Sequence, residues 1–249
     1  MDDFAGQTAI VVGAARGIGR AAARRLCGLG VRVVGFDRDA ATLEATAADF
    51  AAERLAFTAR PVDVTDDAAT AAAIQATLAE GAVQILVNCA GIVGETGRKP
   101  HEVDPDDFDR VYRVNLRAGF KLTKLLAPSM LAQGYGRMLH LASIAGKEGN
   151  AGMLAYSATK AGLIGLVKSA GKDYAGSGVT INALAPAVIH TDMVAALPEA
   201  QVKYMTEKIP MRRTGGLDEA AAMIAFIVSP ECGFCTGFTF DLSGGRATY

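Results

Sequence analysis

The sequence carries almost no excess charge of either sign and no long apolar run. Its 249 residues include 25 Lys and Arg against 26 Asp and Glu, which gives a net charge of −1. Such a balance offers no electrostatic surface for nucleic acid or an acidic membrane. Mean hydropathy is positive, at +0.24, but polar residues interrupt every window of about 18 residues, so no spanning helix is predicted. We therefore expect neither nucleic acid nor a membrane as a partner.

Cysteine is also scarce, with four residues at uneven spacing. This pattern does not indicate a disulfide framework. The pair Cys232 and Cys235 lacks a second ligand pair or a nearby histidine, so no metal site is predicted. The acidic start Met1-Asp2-Asp3 is unlike a secretory signal, and the expected location is the cytoplasm.

Strand-like and helix-like patterns alternate along the chain. Strands are predicted at 8–12, 31–36, 55–62, 84–88, 137–141, 179–184 and 236–241. Helices are predicted at 16–29, 40–54, 66–80, 106–132 with an interruption near Pro128, 153–174 and 220–228. Repeated βα units predict an α/β fold, a Rossmann-type doubly wound parallel sheet flanked by helices on both faces. Because no linker is visible, we expect one domain over residues 1–249, with the irregular stretch 191–216 as a substrate lid.

A glycine-rich loop, Gly13-x-x-x-Gly17-x-Gly19, follows the first predicted strand and opens a helix. Glycines there let the backbone approach a pyrophosphate, and the helix N-terminus presents N–H groups to the anion. Asp37 ends the second strand, where an acid can accept hydrogen bonds from the adenosine ribose and repel a 2′-phosphate. Arg16 or Arg38 could instead face such a phosphate. The pattern favours NAD, with NADP as the alternative.

Tyr156 and Lys160 lie one helical turn apart and share a helix face. A free tyrosine is a poor base because its pKa is near 10, and a nearby ammonium favours the phenolate. Tyr156 is therefore the expected general acid/base, exchanging a proton with the substrate oxygen as a hydride moves to or from a nicotinamide. We expect Ser143 to hydrogen-bond the reacting oxygen.

Together these motifs resemble the single-domain branch of the short-chain dehydrogenase/reductase family over the whole chain. The motifs that carry the resemblance are Gly13-x-x-x-Gly17-x-Gly19, Asn88-Cys89-Ala90-Gly91, Asn115, Ser143, Tyr156-x-x-x-Lys160 and Pro186 through Thr191. The resemblance implies that Lys160 also binds the nicotinamide ribose, and that Asn115 supports Lys160 and a proton-relay water. The cofactor contacts that the loop chemistry and the resemblance imply are Gly13, Arg16, Gly17, Ile18, Gly19, Asp37, Asp63, Val64, Asn88, Ala90, Gly91, Tyr156, Lys160, Pro186, Ile189 and Thr191.

Two residues depart from the pattern of that family. Cys89 stands where the family usually has Asn, and Ala187 stands where it usually has Gly. Because alanine lacks the access of glycine to positive φ, the backbone after Pro186 is where this chain is expected to differ.

The predicted substrate is polar, because polar residues follow Ser143 and occur in the lid, and such side chains suit a sugar, a polyol or a sugar acid. The ending from Asp241 to Tyr249 resembles that of NAD-dependent dehydrogenases for 2-keto-3-deoxy-L-sugar acids. This resemblance implies a 2-keto-3-deoxy sugar acid of the L-rhamnose or L-fucose type as substrate. The predicted substrate contacts are Ser143, Lys147, Asn150, Tyr156, His190, Tyr204 and Arg246.

Several alternatives stay open at this point. The activity could be that of a 3-oxoacyl-thioester reductase, although such enzymes usually use NADPH, against which Asp37 argues. A polyol or hydroxy-acid dehydrogenase and a non-catalytic dinucleotide-binding regulator are the other possibilities. Arg246 is either part of a neighbouring subunit's site or a plain surface charge. His140 is expected in the core, and His190 either packs in the cofactor loop or contacts substrate. The resemblance, and the surplus of apolar residues in helices 106–132 and 153–174, indicate a homotetramer.

Overall fold

One parallel sheet organises the chain in this computed structural model, which describes residues 4–195, 203 and 205–247. The strands in this part of the chain are Thr8–Val12 (β1), Arg32–Asp37 (β2), Phe57–Pro61 (β3), Ile85–Asn88 (β4), Gly136–Leu141 (β5), Val179–Pro186 (β6) and Thr239–Leu242 (β7). Their order is β3-β2-β1-β4-β5-β6-β7, so the chain winds outward first on one side of β1 and then on the other. This order confirms the predicted α/β fold, with the topological switch between β1 and β4.

Helices connect the strands and cover both faces of the sheet. They are Gly17–Gly28 (α1), Ala40–Ala52 (α2), Asp67–Ala79 (α3), Pro105–Tyr112 (α4), Ala118–Gln133 (α5), Ala145–Glu148 (α6), Leu154–Asp173 (α7), Asp192–Ala195 (α8) and Leu217–Ile227 (α9). Short 3₁₀ turns occur at Pro100–Glu102 and Pro230–Cys232. None of these helices, within the described residues, combines the length and the apolar character of a membrane span.

Two apolar cores lie on opposite faces of the sheet because side chains alternate along each strand. Ile10 on β1 packs in the core that also holds Leu122 of α5. Val11, the next residue, packs in the core that holds Leu26 of α1 and Ile224 of α9. Every residue of β1 is buried. The central strands therefore read as continuous apolar runs, as expected for a parallel sheet covered on both sides.

The long helix predicted at 106–132 is interrupted, but the predicted position near Pro128 is wrong. Helix α5 runs through Pro128 without a break. This proline is on the exposed side of α5, where the Lys124 carbonyl that loses its partner can face water. The irregular turn lies earlier, at Arg113–Arg117, where one π-helical turn separates α4 from α5.

The predicted lid at 191–216 is described only in part, because residues 196–202 and 204 lie outside the described residues. Tyr204 therefore has no structural account. Before the gap, α8 follows Thr191; after it, the chain returns to the sheet edge, where Ile189 and Gly215 form an isolated parallel bridge.

Candidate active site

A cleft of about 510 Å³ opens at the carboxyl ends of the central strands. Ligands of open parallel sheets bind at this edge, beside the topological switch. The sequence-predicted cofactor residues that line the cleft are Gly13, Arg16, Ile18, Gly19, Asp37, Asp63, Val64, Ala90, Gly91 and Thr191. Arg38, the alternative phosphate contact, and Cys89, from the motif Asn88-Cys89-Ala90-Gly91, also line the cleft. Further lining residues that the sequence did not single out are Val12, Asp39, Val62, Ile92, Val114 and Leu141.

The glycine loop has the conformation that its sequence requires. Gly13 and Gly17 have φ of 78° and 55°, in the left-handed region that favours glycine. A Cβ atom on Gly19 would overlap the carbonyl oxygen of Gly13, so only glycine allows α1 to begin so close to the loop. Arg16 is the N-cap of α1, and its side chain makes no capping hydrogen bond. The loop therefore provides the close backbone approach and the helix N-terminus that a pyrophosphate needs.

Carboxylates at or just after the ends of β2 and β3 also line the cleft. Asp37 accepts hydrogen bonds from the N–H groups of Ala15 and Asp39, at 3.1 and 3.0 Å. Asp63 accepts a hydrogen bond from the N–H of Thr65 at 2.8 Å, and this bond is the main reason why the pKa of Asp63 is below its ordinary value. Both positions are suited to accept hydrogen bonds from the hydroxyl and amino groups of an adenosine.

Tyr156 and Ser143 meet at the end of β5. Burial raises the pKa of Tyr156, and the neighbouring Ser143 hydroxyl lowers that pKa by a smaller amount. The net direction is opposite to the lowering expected from the Lys160 ammonium alone. The hydroxyl oxygen of Ser143 also accepts a hydrogen bond from the N–H of Ala145 at 3.1 Å, which orients Ser143 at the start of α6.

Lys160 is buried beside this pair. Its ammonium lies 5.7 Å from the ring centre of Tyr156 and donates a hydrogen bond to the carbonyl oxygen of Leu141 at 2.6 Å. Burial lowers the pKa of Lys160 to about 8. The lysine is thus mainly cationic at neutral pH and lies close to the tyrosine, as the spacing of the two residues predicts.

Asn115 lies in the π-helical turn and is fully buried. Its amide accepts from the N–H of Ile92 at 2.8 Å and donates to the Ile92 carbonyl oxygen at 2.9 Å. It also donates to the hydroxyl of Thr159 at 3.2 Å. A Cβ on Gly91 would lie 3.2 Å from Lys160 Nζ and 3.5 Å from Asn115 Oδ1, so the two side chains converge on Gly91. Asn115 thus joins the segment after β4 to the helix of Tyr156 and Lys160.

Asn88, predicted as a cofactor contact, is 1% exposed and lies beneath the cleft. Its side chain accepts from the N–H of Ala90 at 3.2 Å and contacts Nδ1 of His140 at 3.1 Å. The other ring nitrogen of His140 lies 2.9 Å from the hydroxyl of Thr123, which itself donates to the carbonyl oxygen of Gly119. Nε2 of His140 is therefore the ring donor and Nδ1 the acceptor. The structure confirms His140 as a core residue.

The polar residues after Ser143 are tied to the C-terminal segment. Lys147 forms an ion pair with Asp241 at 2.8 Å. Arg246 binds Glu148 at 2.8 Å and the Asn150 oxygen at 3.1 Å. With 11% exposure of its side chain, Arg246 is not a plain surface charge.

The remaining predicted contacts are near the exit of β6. Pro186 ends that strand. In the described part of the chain, the only residues other than glycine at positive φ are Arg54 and Arg212. Ala187 thus follows Pro186 without left-handed strain. Ile189 is buried, whereas His190 is exposed and its N–H donates to the carbonyl oxygen of Gly215.

The cysteines form no disulfide in the described residues. Nor do those residues contain three or more His, Cys, Asp or Glu side chains grouped to hold a metal ion. Burial raises the pKa of Cys89 and of Cys232 to about 12.

Known proteins match this chain almost from end to end. A family model described as short chain dehydrogenase matches residues 7–202. The chain is 46% identical, over 99% of its length and 97% of the relative, to a 2-dehydro-3-deoxy-L-rhamnonate dehydrogenase (NAD(+)) of Sphingomonas sp. (strain SKA58). It is 37% identical to a 3-oxoacyl-acyl-carrier-protein reductase of Salmonella typhimurium, over 97% of this chain and 98% of the relative.

A solved structure has the same fold as this chain. The crystal structure of gox2181 matches with a TM-score of 0.94 at 27% identity, over 98% of this chain and 97% of that one. The family model spans most of the chain. The chain belongs to the short-chain dehydrogenase family.

Proposed function

We propose that this chain is an NAD-dependent dehydrogenase that interconverts a secondary alcohol and a ketone on a 2-keto-3-deoxy sugar acid. One observation carries the proposal. Tyr156 lies beside Ser143, and its ring centre is 5.7 Å from the Lys160 ammonium. Lys160 in turn donates to the carbonyl oxygen of Leu141, which lines the same cleft as Asp37. These groups are the proton-transfer machinery and the ribose acceptor that such a reaction needs.

The residues of the cleft fit a nicotinamide dinucleotide. The glycine loop would hold the pyrophosphate, and Asp37 the adenosine ribose. The adenine would lie against Asp63 and Val64. The contacts proposed for the rest of the cofactor are Asn88, Ala90, Gly91, Lys160, Pro186, Ile189 and Thr191. When bound, NAD supplies the carbon that accepts the hydride.

The proton chemistry belongs to the protein side chains. Ser143 would hydrogen-bond the reacting oxygen, and Tyr156 would take its proton during oxidation or return it during reduction. Because burial disfavours the phenolate, a nearby positive charge is needed to stabilise it, and Lys160 provides one. Asn115 keeps Lys160 and the segment after β4 in place, and supports the proposed relay of the proton to solvent.

The substrate class is proposed from the polar surroundings and from the relative of Sphingomonas, whose name states its substrate. Lys147, Asn150 and Arg246 lie together beside the loop after Ser143. We propose that this group, with His190, contacts the hydroxyl and carboxylate groups of the substrate. Tyr204 is proposed from the sequence alone.

An assay of the purified protein tests this function. Sugar acids, polyols and 3-oxoacyl thioesters are offered with NAD(H) or NADP(H), and the absorbance of the reduced nicotinamide is followed. We expect 2-keto-3-deoxy-L-rhamnonate or a close relative to be turned over with NAD. Turnover restricted to 3-oxoacyl thioesters with NADPH would overturn the proposal in favour of the activity named for the Salmonella relative.

We also propose a single catalytic domain with a lid at about 191–216, a cytoplasmic location and a homotetramer. Large exposed apolar side chains support self-association. Tyr112 and Phe120 lie on the α4–α5 side, whereas Phe226, Phe234 and Phe238 surround the β7 edge. Two separate patches suit the two interfaces of a closed tetramer. Light scattering is expected to give four times the chain mass of 25.8 kDa, and a monomer would contradict the proposal.

A further inference from the structure

The carboxylate of Asp37 is held by the backbone through both of its oxygens. Oδ2 accepts from the N–H of Ala15 and Oδ1 from that of Asp39. Each carboxylate oxygen can accept a further hydrogen bond, so Asp37 remains able to bind a ribose hydroxyl. Asp37 is therefore a negative charge with a set orientation at the mouth of the cleft.

Arg16, Asp39 and Thr42 form a second group at the same mouth, which we call the Arg16 cluster. The guanidinium of Arg16 is paired with the carboxylate of Asp39 and donates to the Thr42 hydroxyl at 3.2 Å. Thr42 in turn donates to Asp39 from its hydroxyl at 2.8 Å and from its N–H at 3.1 Å. Asp39 is also the N-cap of α2, so the cluster is anchored to a helix start.

The ion pair of this cluster contributes little to folding stability. The side chains of Arg16 and Asp39 are 63% and 37% exposed, and exposed pairs are largely screened by water. What the pair does is direct the guanidinium of Arg16 toward a carboxylate. Both residues line the cleft, so the orientation of Arg16 affects which charged groups a dinucleotide can place there.

Arginine is the side chain best suited to bind a phosphate group. A free Arg16 beside the glycine loop would be placed to attract the 2′-phosphate that distinguishes NADP from NAD. The charged residues that line the cleft are Arg16, Arg38, Asp37, Asp39 and Asp63, and together they carry a net charge of −1. Without the carboxylate of Asp39, the net charge of the cleft lining would be zero and Arg16 would lose its ion-pair partner.

We propose that Asp39 is a second determinant of the preference for NAD, acting as a positioning residue that holds Arg16 away from a 2′-phosphate. Asp37 binds the ribose, and Asp39 pairs with Arg16, the cation of the glycine loop, which would otherwise be placed to bind the competing cofactor. The inference rests on the proposed function, because it assumes that the cleft binds a nicotinamide dinucleotide.

The substitution Asp39→Asn tests the proposal, because asparagine keeps the N-cap of α2 and removes only the charge. Binding is measured by calorimetry with ADP-ribose and with 2′-phospho-ADP-ribose, two probes that cannot react by hydride transfer. We expect the affinity of Asp39→Asn for the phosphorylated probe to rise about tenfold, and the gain to shrink at high salt. Its affinity for ADP-ribose should stay within about twofold of wild type, since Asp37 is intact.

Two further variants separate the mechanism from a general charge effect. The Arg16→Gln substitution in the Asp39→Asn background should abolish the gain. Asp49→Asn is the matched control, because Asp49 lies on the same helix, pairs with Arg20 at 2.9 Å and does not line the cleft. It should leave both affinities unchanged, and circular dichroism should show every variant folded.

The outcomes are distinguishable. No gain in Asp39→Asn, an equal gain in Asp49→Asn, or a gain that persists without Arg16 would overturn the role of Asp39 while ADP-ribose binding still supported the proposed function. Failure of the wild-type protein to bind ADP-ribose would instead overturn the dinucleotide site and this inference together.

Discussion

The ammonium of Lys160 on α7 donates a hydrogen bond to the carbonyl oxygen of Leu141, the last residue of β5, over 2.6 Å. Leu141 lines the cleft, so the contact holds a buried cation at the site boundary. Because burial lowers the pKa of Lys160 to about 8, this cation begins to lose its proton at mildly alkaline pH. The protein thus places a titrating positive charge next to Tyr156, the proposed acid/base.

Replacing Lys160 by Gln is expected to change the pH dependence of turnover. Glutamine keeps a donor but carries no charge, so the buried Tyr156 must ionise without the cation. We expect kcat at pH 7 to fall by about 100-fold or more. The rate should then keep increasing as pH rises to about 10 and beyond, because burial raises the pKa of Tyr156 above the ordinary value of about 10. A pH profile of kcat measures this, and a profile parallel to that of wild type would contradict the role of Lys160.

Replacing Tyr156 by Phe removes the hydroxyl and little else. We expect turnover to fall by about 10³-fold or more, because the substrate oxygen loses its proton partner. Binding of NADH, followed by fluorescence, should change by less than about threefold because a nucleotide cleft depends on many contacts. Tyr174→Phe, at the C-terminal end of the same helix, is the matched control and should keep the wild-type rate. Near-normal turnover in Tyr156→Phe would show that another group moves the proton.

The buried His140 makes stability sensitive to acid. Burial lowers its pKa to about 4, from an ordinary value of 6.5. Between pH 6.5 and pH 4, His140 is protonated in the unfolded chain but stays neutral in the folded protein. The free energy of unfolding therefore decreases as pH falls through this window. The loss attributable to His140 is at most about 3 kcal/mol.

Urea unfolding from pH 7 to pH 4.5 measures this dependence, with His140→Asn as the comparison. That variant has a lower stability at every pH because it disturbs the contacts of Asn88 and Thr123. Its free energy of unfolding should nevertheless vary less with pH than that of wild type. Equal slopes in the two proteins would show that His140 does not titrate in this window.

Replacing Arg246 by Ala breaks the ion pair with Glu148 and the hydrogen bond to Asn150. If these residues contact the sugar acid, KM for that substrate should rise about tenfold or more, as expected when polar partners in a site are lost. KM for NAD should not change, because none of the three lines the dinucleotide cleft. Arg24→Ala, which breaks an exposed pair with Glu53, is the control. An unchanged KM for the substrate would limit Arg246 to attaching the C-terminal segment.

Much of the site was predictable because its chemistry depends on local spacing. The glycine loop requires left-handed backbone at Gly13 and Gly17, and a helical spacing of four residues puts Tyr156 and Lys160 on one face. Asp39 could have been noticed as well, since it follows Asp37 at the same sheet edge. Its pairing with Arg16 was not predictable, because the partners are 23 residues apart and meet only when α1 and α2 start side by side.

The π-helical turn at Arg113–Arg117 shows where reasoning from residue types was insufficient. Proline predicts a break because it lacks an N–H, yet Pro128 lies on an exposed helix face where the break is avoided. The turn at Asn115 has no such marker. Its irregular geometry coincides with the hydrogen bonds of Asn115 to Ile92 and Thr159, which come from distant parts of the chain.

The sequence by itself determined the order of strands and helices, the glycine loop and the proposed proton-transfer residues, since each depends on periodicity or on contacts within a few residues. Tertiary structure alone decided the burial that sets the pKa of Tyr156 and of Lys160. It also decided the pairing of Arg16 with Asp39 and of Arg246 with Glu148. Charges acquire their partners and lose their water only when separate elements pack together, and no local pattern encodes that proximity.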